Sequence, residues 1–257
     1  MGAVSSTVAG TELWDAWARR WRSFQEAYVP DRERQLDVMA ECVALVAGGR
    51  AGTILDLASG AGSVADAVLE RCPELRAVAV DLDPWLIELG RQTARAADRI
   101  EWVEADLRDP RWVTALPGDG YVAVTCATAL HWLRHPEVRR LYYDARRLMI
   151  RDGILVVADV MPVGSPRLRR LARAAAATRE AATGERWDRF WAEVRAVPEF
   201  GPIMRERSRR QLVRPPCVSL ALDAHVAALT QAGFGEAGEV WRVHEAAAVA
   251  AFAEPDE

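Results

Sequence analysis

Thr53-Ile54-Leu55-Asp56-Leu57-Ala58-Ser59-Gly60-Ala61-Gly62 is the stretch whose reading decides the fold. Thr53 to Asp56 reads as a short buried strand: β-branched and apolar residues, then one carboxylate at the tip. A turn of small residues follows from Ala58 to Ser63, and Val64 to Arg71 has the pattern of a helix. Strand, tight loop and helix together make a nucleotide-type site. Small side chains let a ligand lie against the backbone, and the free N–H groups of the new helix point at it.

The same rhythm repeats downstream. Arg76 to Val80 reads as a strand ending at Asp81, and Pro84 opens a helix through Arg95. Ile100 to Val103 is a third strand, followed by Glu104, Ala105 and Asp106. Tyr121 to Cys126 is a fourth, running into Ala127-Thr128-Ala129-Leu130-His131-Trp132. Pro136 to Leu148 is a helix, and Gly153 to Ala158 a fifth strand ending at Asp159. Short strands apolar on both faces, alternating with helices, indicate an α/β fold with a parallel sheet covered on both sides. Right-handed crossovers gather the strand C-termini on one edge, where ligands bind. Asp56, Asp81, Asp106, Cys126 and Asp159 fall on that edge.

Either side of this core the pattern changes. Residues 1–10 carry small polar residues and are expected to be disordered. Trp14, Trp17, Trp21, Phe24 and Tyr28 recur at spacings of 3 and 4, one face of a helix. That face either docks the helix on the domain or forms a lid that also touches substrate. Asp31 is placed to cap the next helix. From Met161 to about Cys217 the sheet rhythm stops. Helices over 167–183 and 186–197 suggest an inserted cap, the second with Trp187, Phe190 and Trp191 on one face. A helix over 222–231 and two strands near 237–243 and 246–252 then return to the sheet. The last strand is alanine-rich and weakly specified. The expected organisation is a tail and lid helix over 1–30, an α/β core over 31–160, a cap over 161–218 and terminal elements over 219–257.

The 257 residues are 51% hydrophobic with net charge −4. That supports a full core without staples and argues against a general nucleic-acid binder. Cys42, Cys72, Cys126 and Cys217 are scattered, with no CxxC pair and no metal-ligand spacing, so they read as buried thiols and no metal is expected. No apolar run approaches the ~20 residues of a membrane span, and the N-terminus lacks the pattern of a signal peptide. A cytoplasmic monomer or homodimer acting on a small molecule is expected, with no membrane partner.

A carboxylate ending a second strand, after a small-residue loop, is placed to accept both hydroxyls of a ribose. Here that is Asp81. Asp56, before the loop, would repel a pyrophosphate but suits a cationic sulfonium with its amino-acid tail. Asp106 can accept from an adenine amine. Three carboxylates on three consecutive strand ends therefore favour an adenosyl sulfonium over a dinucleotide.

These segments resemble the class I S-adenosylmethionine-dependent methyltransferases, in the small-molecule group that includes trans-aconitate methyltransferase. Ile54 to Gly62 is similar to that family's first motif, Val78 to Pro84 to its second-strand segment, and Glu104 to Leu107 to its third. Ala129 to Leu133, Arg151 to Val157 and Ala232-Gly233-Phe234 extend the likeness over roughly 31–160 and 220–252. The resemblance implies a Rossmann-like, mostly parallel seven-stranded sheet with S-adenosylmethionine as cofactor. It implies Asp56 beside the methionine ammonium, Ala58, Gly60 and Gly62 lining the cofactor, Asp81 on the ribose, Leu82 and Leu86 flanking adenine, Asp106 on its amine with Leu107 nearby, and Cys126 at the fourth strand end. The family usually has glycine where Ala58 stands, so its methyl is expected to narrow the methionine subsite.

His131, past the fourth strand, is the catalytic candidate: a general base or substrate hydrogen-bonder, or an orienting residue beside Trp132. Trp14, Trp17, Trp21, Tyr28, Trp132, Trp187 and Trp191 are candidate substrate contacts. Arg205, Arg207, Arg209, Arg210 and Arg214 form either a solvated face or one from which an arginine, Arg205 foremost, reaches an anionic acceptor. The expected reaction is in-line methyl transfer to an O, N or C nucleophile. Intramolecular cyclisation of the cofactor with release of methylthioadenosine, or cyclisation of a substrate, stays open beside it, as does a non-catalytic adenosyl-binding protein.

Overall fold

The computed structural model describes residues 3–183, 187–210, 212 and 219–253. Two helices lead in, α1 (Ala3–Tyr28) and α2 (Arg32–Ala47). The core follows as β1 (Gly52–Leu57), α3 (Ser63–Arg71), β2 (Leu75–Asp81), α4 (Pro84–Thr93), β3 (Ile100–Glu104), β4 (Tyr121–Ala127), α5 (His135–Leu148) and β5 (Met149–Val160). Three helices, α6 (Pro166–Thr183), α7 (Trp187–Ala196) and α8 (Gly201–Arg209), interrupt the alternation. The chain then adds α9 (Leu222–Gln231), β6 (Ala237–Val243) and β7 (Ala246–Phe252).

The seven strands form one sheet in the order β3-β2-β1-β4-β5-β7-β6. The first five are parallel, and β7 runs antiparallel between β5 and β6. The order reverses between β1 and β4, so the exits of these two strands diverge and leave a crevice above them. Alternation along each strand divides the core into two layers. Leu55, Leu57, Val124 and Val157 pack with α5 and α9 on one face. Ile54, Ala123 and Val156 pack with α2 and α3 on the other. The alanines of β7 follow the same rule: Ala247 and Ala251 join the first layer, Ala248 and Ala250 the second. The strand reads as weakly specified because both its faces are covered closely, leaving room for little beyond a methyl group.

A third core binds the outer helices to the site. Trp85, fully buried at the start of α4, meets Trp14 and Trp17 of α1, Phe190 and Trp191 of α7, and Phe200, with ring centroids 5.5–6.2 Å apart. Trp17, Trp21 and Phe24 are buried in this cluster. Exposing all three would cost on the order of 5–9 kcal/mol. An ion pair between Arg20 and Glu193 ties α1 to α7 directly.

Three local expectations are corrected. The backbone is helical from Ala3, because the small residues ahead of Thr11 continue the helix although they carry no apolar period. Asp31 makes no side-chain cap; it sits at φ 52°, turning the chain between α1 and α2. Cys42 and Cys72 are only partly buried, whereas Cys126 is fully so. Arg214 and Cys217 lie outside the described residues.

Candidate active site

The C-terminal ends of the parallel strands open on a cavity of about 470 Å³. Its floor is the opening stretch. Asp56 is wholly buried at the end of β1, opposite Thr125 on β4. Thr125 Oγ1 donates to its Oδ1 at 2.8 Å, and Ala65 N of α3 to its Oδ2 at 3.3 Å. Burial pushes Asp56 up to about 7 against those bonds, with the nearby Asp81 charge adding to the rise. Asp81 accepts from Gly60 N at 2.7 Å and from Asp83 N at 2.8 Å. Burial raises it to about 6. Two acids side by side, neither with a side-chain cation of its own among the described residues, are what a cationic ligand rich in hydroxyl donors would relieve.

The first loop is shaped for backbone contact. Ala58 and Gly60 both adopt left-handed conformations, at φ 50° and 56°. A Cβ on Gly60 would come no closer than 3.9 Å to Leu86 Cδ1, so the space over it is open. Ser59 Oγ is buried in this loop with no hydrogen-bond partner among the described residues. Leu82, Leu86, Asp106 and Leu107 line the cavity beyond Asp81. Arg108 grips Asp106 through Nε at 2.9 Å and Nη2 at 2.8 Å. Partial burial works to raise Asp106, but those bonds win and hold it below the usual carboxylate range.

Where β4 ends, Thr128 takes φ 59° and its N–H bonds to Ala158 O of β5 at 2.7 Å. This turn carries His131 back over the end of β5. Its backbone N–H donates to Asp159 Oδ2 at 3.0 Å, and its ring Nδ1 lies 2.6 Å from Asp159 Oδ1. Asp159 is buried, and the His131 side chain is 11% exposed on the cavity wall. The carboxylate fixes the ring and favours the tautomer with the proton on Nδ1. Nε2 has no partner among the described residues.

The aromatic wall continues from there. Trp132 sits 5.5 Å from Trp187, and Trp187 5.7 Å from Trp191, between ring centroids. The guanidinium carbon of Arg207 of α8 lies over Trp191, 3.5 Å from the ring centroid. Trp21, Phe24 and Tyr28 of α1 complete the lining.

The structure thus gathers Asp56, Ala58, Gly60, Asp81, Leu82, Leu86, Asp106, Leu107, His131, Trp132, Trp21, Tyr28, Trp187 and Trp191 around one cavity. Five expected residues do not line it. Trp14 and Trp17 face Trp85 and Phe200 and hold α1 in place. Cys126 points into the first core layer. Gly62, at φ 79°, is required by Trp102, whose ring would lie 2.7 Å from a Cβ there. Arg205 is exposed, and Arg207, two residues on, faces inward. Asp159 as the partner of His131 and Arg32 on the cavity wall are the contacts that sequence reasoning missed.

Residues 54–153 match the family model of a methyltransferase domain. Together with the strand order, that defines this segment as the core of a class I, Rossmann-like methyltransferase fold. The chain is similar to a trans-aconitate 2-methyltransferase from Azoarcus sp. (strain BH72), 31% identical over 107 residues that cover 42% of this chain and 38% of that one. It is also similar to a malonyl-[acyl-carrier protein] O-methyltransferase from Paenibacillus sp. (strain JDR-2), 26% identical over 42% of this chain and 39% of that one. The matches thus span about two fifths of the length of these relatives. Among solved structures, an O-methyltransferase family protein from Burkholderia thailandensis shares the fold over 95% of this chain and 70% of its own, with a TM-score of 0.53 at 20% identity. Among the described residues, no helix is long and apolar enough to cross a membrane.

Proposed function

We propose that this chain is an S-adenosylmethionine-dependent methyltransferase that methylates an ionisable hydroxyl on a small, flat acceptor. The residues present fit that cofactor. Asp56 is wholly buried and Asp81 partly so, and desolvation raises both, which suits them to an ammonium and to ribose hydroxyls. Ser59 Oγ, without a partner among the described residues, sits in the loop that would face the methionine part. Leu82 and Leu86 offer apolar faces for adenine. When bound, the cofactor supplies an electrophilic methyl on a sulfonium whose leaving group is a neutral thioether.

The observation that carries the reading is the 2.6 Å contact between His131 Nδ1 and Asp159 Oδ1. It leaves Nε2 as the basic nitrogen on the cavity wall, able to take the proton of an acceptor hydroxyl, while Asp159 stabilises the resulting imidazolium. Trp132, Trp187 and Trp191 hold a flat acceptor and exclude water.

The test is product analysis by mass. Purified protein is incubated with S-adenosylmethionine alone, then with phenolic, carboxylic and amine acceptors. S-Adenosylhomocysteine formed only with a hydroxyl-bearing acceptor supports the reading. Methylthioadenosine formed without an acceptor would mean intramolecular attack on the cofactor and sink it.

A further inference from the structure

On the side of the sheet covered by α5 and α9, a second polar pair lies buried near His131 and Asp159. Tyr142 of α5 and His225 of α9 are both buried, and the Tyr142 hydroxyl lies 2.6 Å from His225 Nδ1. Burying a hydroxyl and an imidazole among leucines and valines costs free energy that one hydrogen bond does little more than offset. Packing α5 on α9 does not by itself call for them.

The sheet sets this pair beside Asp159. Leu155 and Val157 of β5 face α5 and α9, and strand residues two apart share a face, so Asp159 continues that row toward the cavity. Burial raises Tyr142 well above the usual phenol range, with Cys126 and the Asp159 charge adding to the rise. Burial pulls His225 down to about 4, the Asp159 charge opposing the drop and His135 adding to it. Both groups are therefore uncharged at neutral pH. With the phenol hydroxyl donating to Nδ1, the proton of the imidazole sits on Nε2.

Asp159 has room for a competing donor. Its Oδ1 meets His131 Nδ1 and accepts from Val160 N, whereas Oδ2 accepts only from His131 N among the described residues. A carboxylate oxygen can accept two bonds. An imidazole free to rotate in this layer would turn an N–H onto Oδ2, and less of the negative charge would act on His131.

We propose that Tyr142 and His225 are positioning residues for the His131–Asp159 pair: by donating to His225 Nδ1, the Tyr142 hydroxyl keeps that imidazole from turning onto Asp159, so the carboxylate stays committed to His131. Their part in methyl transfer rests on the reading of His131 above, but the restraint itself does not.

Imidazole nitrogen NMR of the cofactor-free protein tests it. The chain has four histidines, and each can be followed from about pH 5.5 to 9, the range around an ordinary imidazole. In the wild type His225 should show one tautomer, protonated on Nε2, and stay uncharged throughout. In Tyr142→Phe the midpoint of the His131 titration should fall by about half a unit or more, because its counter-charge is shared. In Tyr142→Phe/His225→Leu the competing donor is gone and both polar partners are apolar, so the midpoint should return to that of the wild type. A wild-type His225 protonated on Nδ1 would overturn the assignment whatever the variants do. So would an unmoved His131 midpoint in Tyr142→Phe, or a fall that the double variant keeps. Neither cofactor nor acceptor enters this measurement, so a failure to find methyl transfer would bring down the reading of His131 as a base and leave the NMR result standing.

Discussion

Arg207 Nε donates to Asp83 Oδ2 at 2.7 Å across 124 residues of sequence, joining α8 to the loop that leaves β2. Both side chains are largely buried, at 15% and 9% exposure. Asp83 also caps α4 through Trp85 N at 3.0 Å, and its own N–H is bonded to Asp81. One residue therefore links the cap and the α4 start through its carboxylate, and the acid expected to hold the ribose through its backbone N–H. Arg207→Ala would leave it buried without its cation. The expected loss is about 2–4 kcal/mol of unfolding free energy, read by urea denaturation. Adding Asp83→Asn to that variant should recover part of the loss, because the stranded charge is then gone.

A second expectation concerns pH. Asp56 and Asp81 are raised in the folded, cofactor-free protein to about 7 and about 6, chiefly by burial. Their unfolded values are about 4. Between those limits the native state holds protons that the unfolded state has already released. Stability of the cofactor-free protein should therefore fall as pH rises from about 4 to about 7 through these two groups, and level off above. Cofactor binding should run the other way. An ammonium beside Asp56 and hydroxyl donors on Asp81 favour the carboxylates, so affinity for S-adenosylhomocysteine should rise from pH 5 to about 7.5, by up to about tenfold per unit for each proton released. Titrations in buffers of different ionisation enthalpy check this through proton release.

Ala58 supplies a third. Its φ of 50° lies in the left-handed region, which costs an L-residue roughly 1–2 kcal/mol. Glycine relieves that strain but gives back about 0.4–1 kcal/mol through the greater freedom of the unfolded chain. Ala58→Gly should thus leave stability unchanged or raise it by up to about 1.6 kcal/mol. Removing a methyl from the cavity should also leave S-adenosylhomocysteine affinity equal or tighter. A clear loss of affinity would show that the methyl belongs to the binding surface.

Much of this architecture is legible in the chain because it rests on local periodicity. The strands at Thr53, Arg76, Ile100 and Tyr121 are bounded by turn residues, and the terminal strand pair falls where the pattern returns. The acids Asp56, Asp81 and Asp106 reach one edge because parallel strands put all their exits there. What was hidden depends on partners far along the chain. Asp159 meets His131 because Ala127 of β4 pairs with Ala158 of β5, a register that only the sheet order reveals. Arg205 and Arg207 look alike in composition, but two residues turn a helix by about 200°. Arg207 shares the inward side with Ile203 and Met204, three or four residues earlier, whereas Arg205 points outward. That apolar pair was the available signal. The aromatic stripe of α1 was visible as a stripe, but its division between docking (Trp14, Trp17) and cavity wall (Trp21, Tyr28) depends on Trp85, whose burial nothing local marks.

The central claim is an adenosyl site organised by Asp81, and calorimetric titration of S-adenosylhomocysteine into the wild type and Asp81→Ala tests it most directly. The wild type should bind one nucleoside per chain, and Asp81→Ala, still folded by circular dichroism, should bind at least about thirtyfold more weakly. Equal affinity in the two proteins, or no binding by the wild type, would contradict the account.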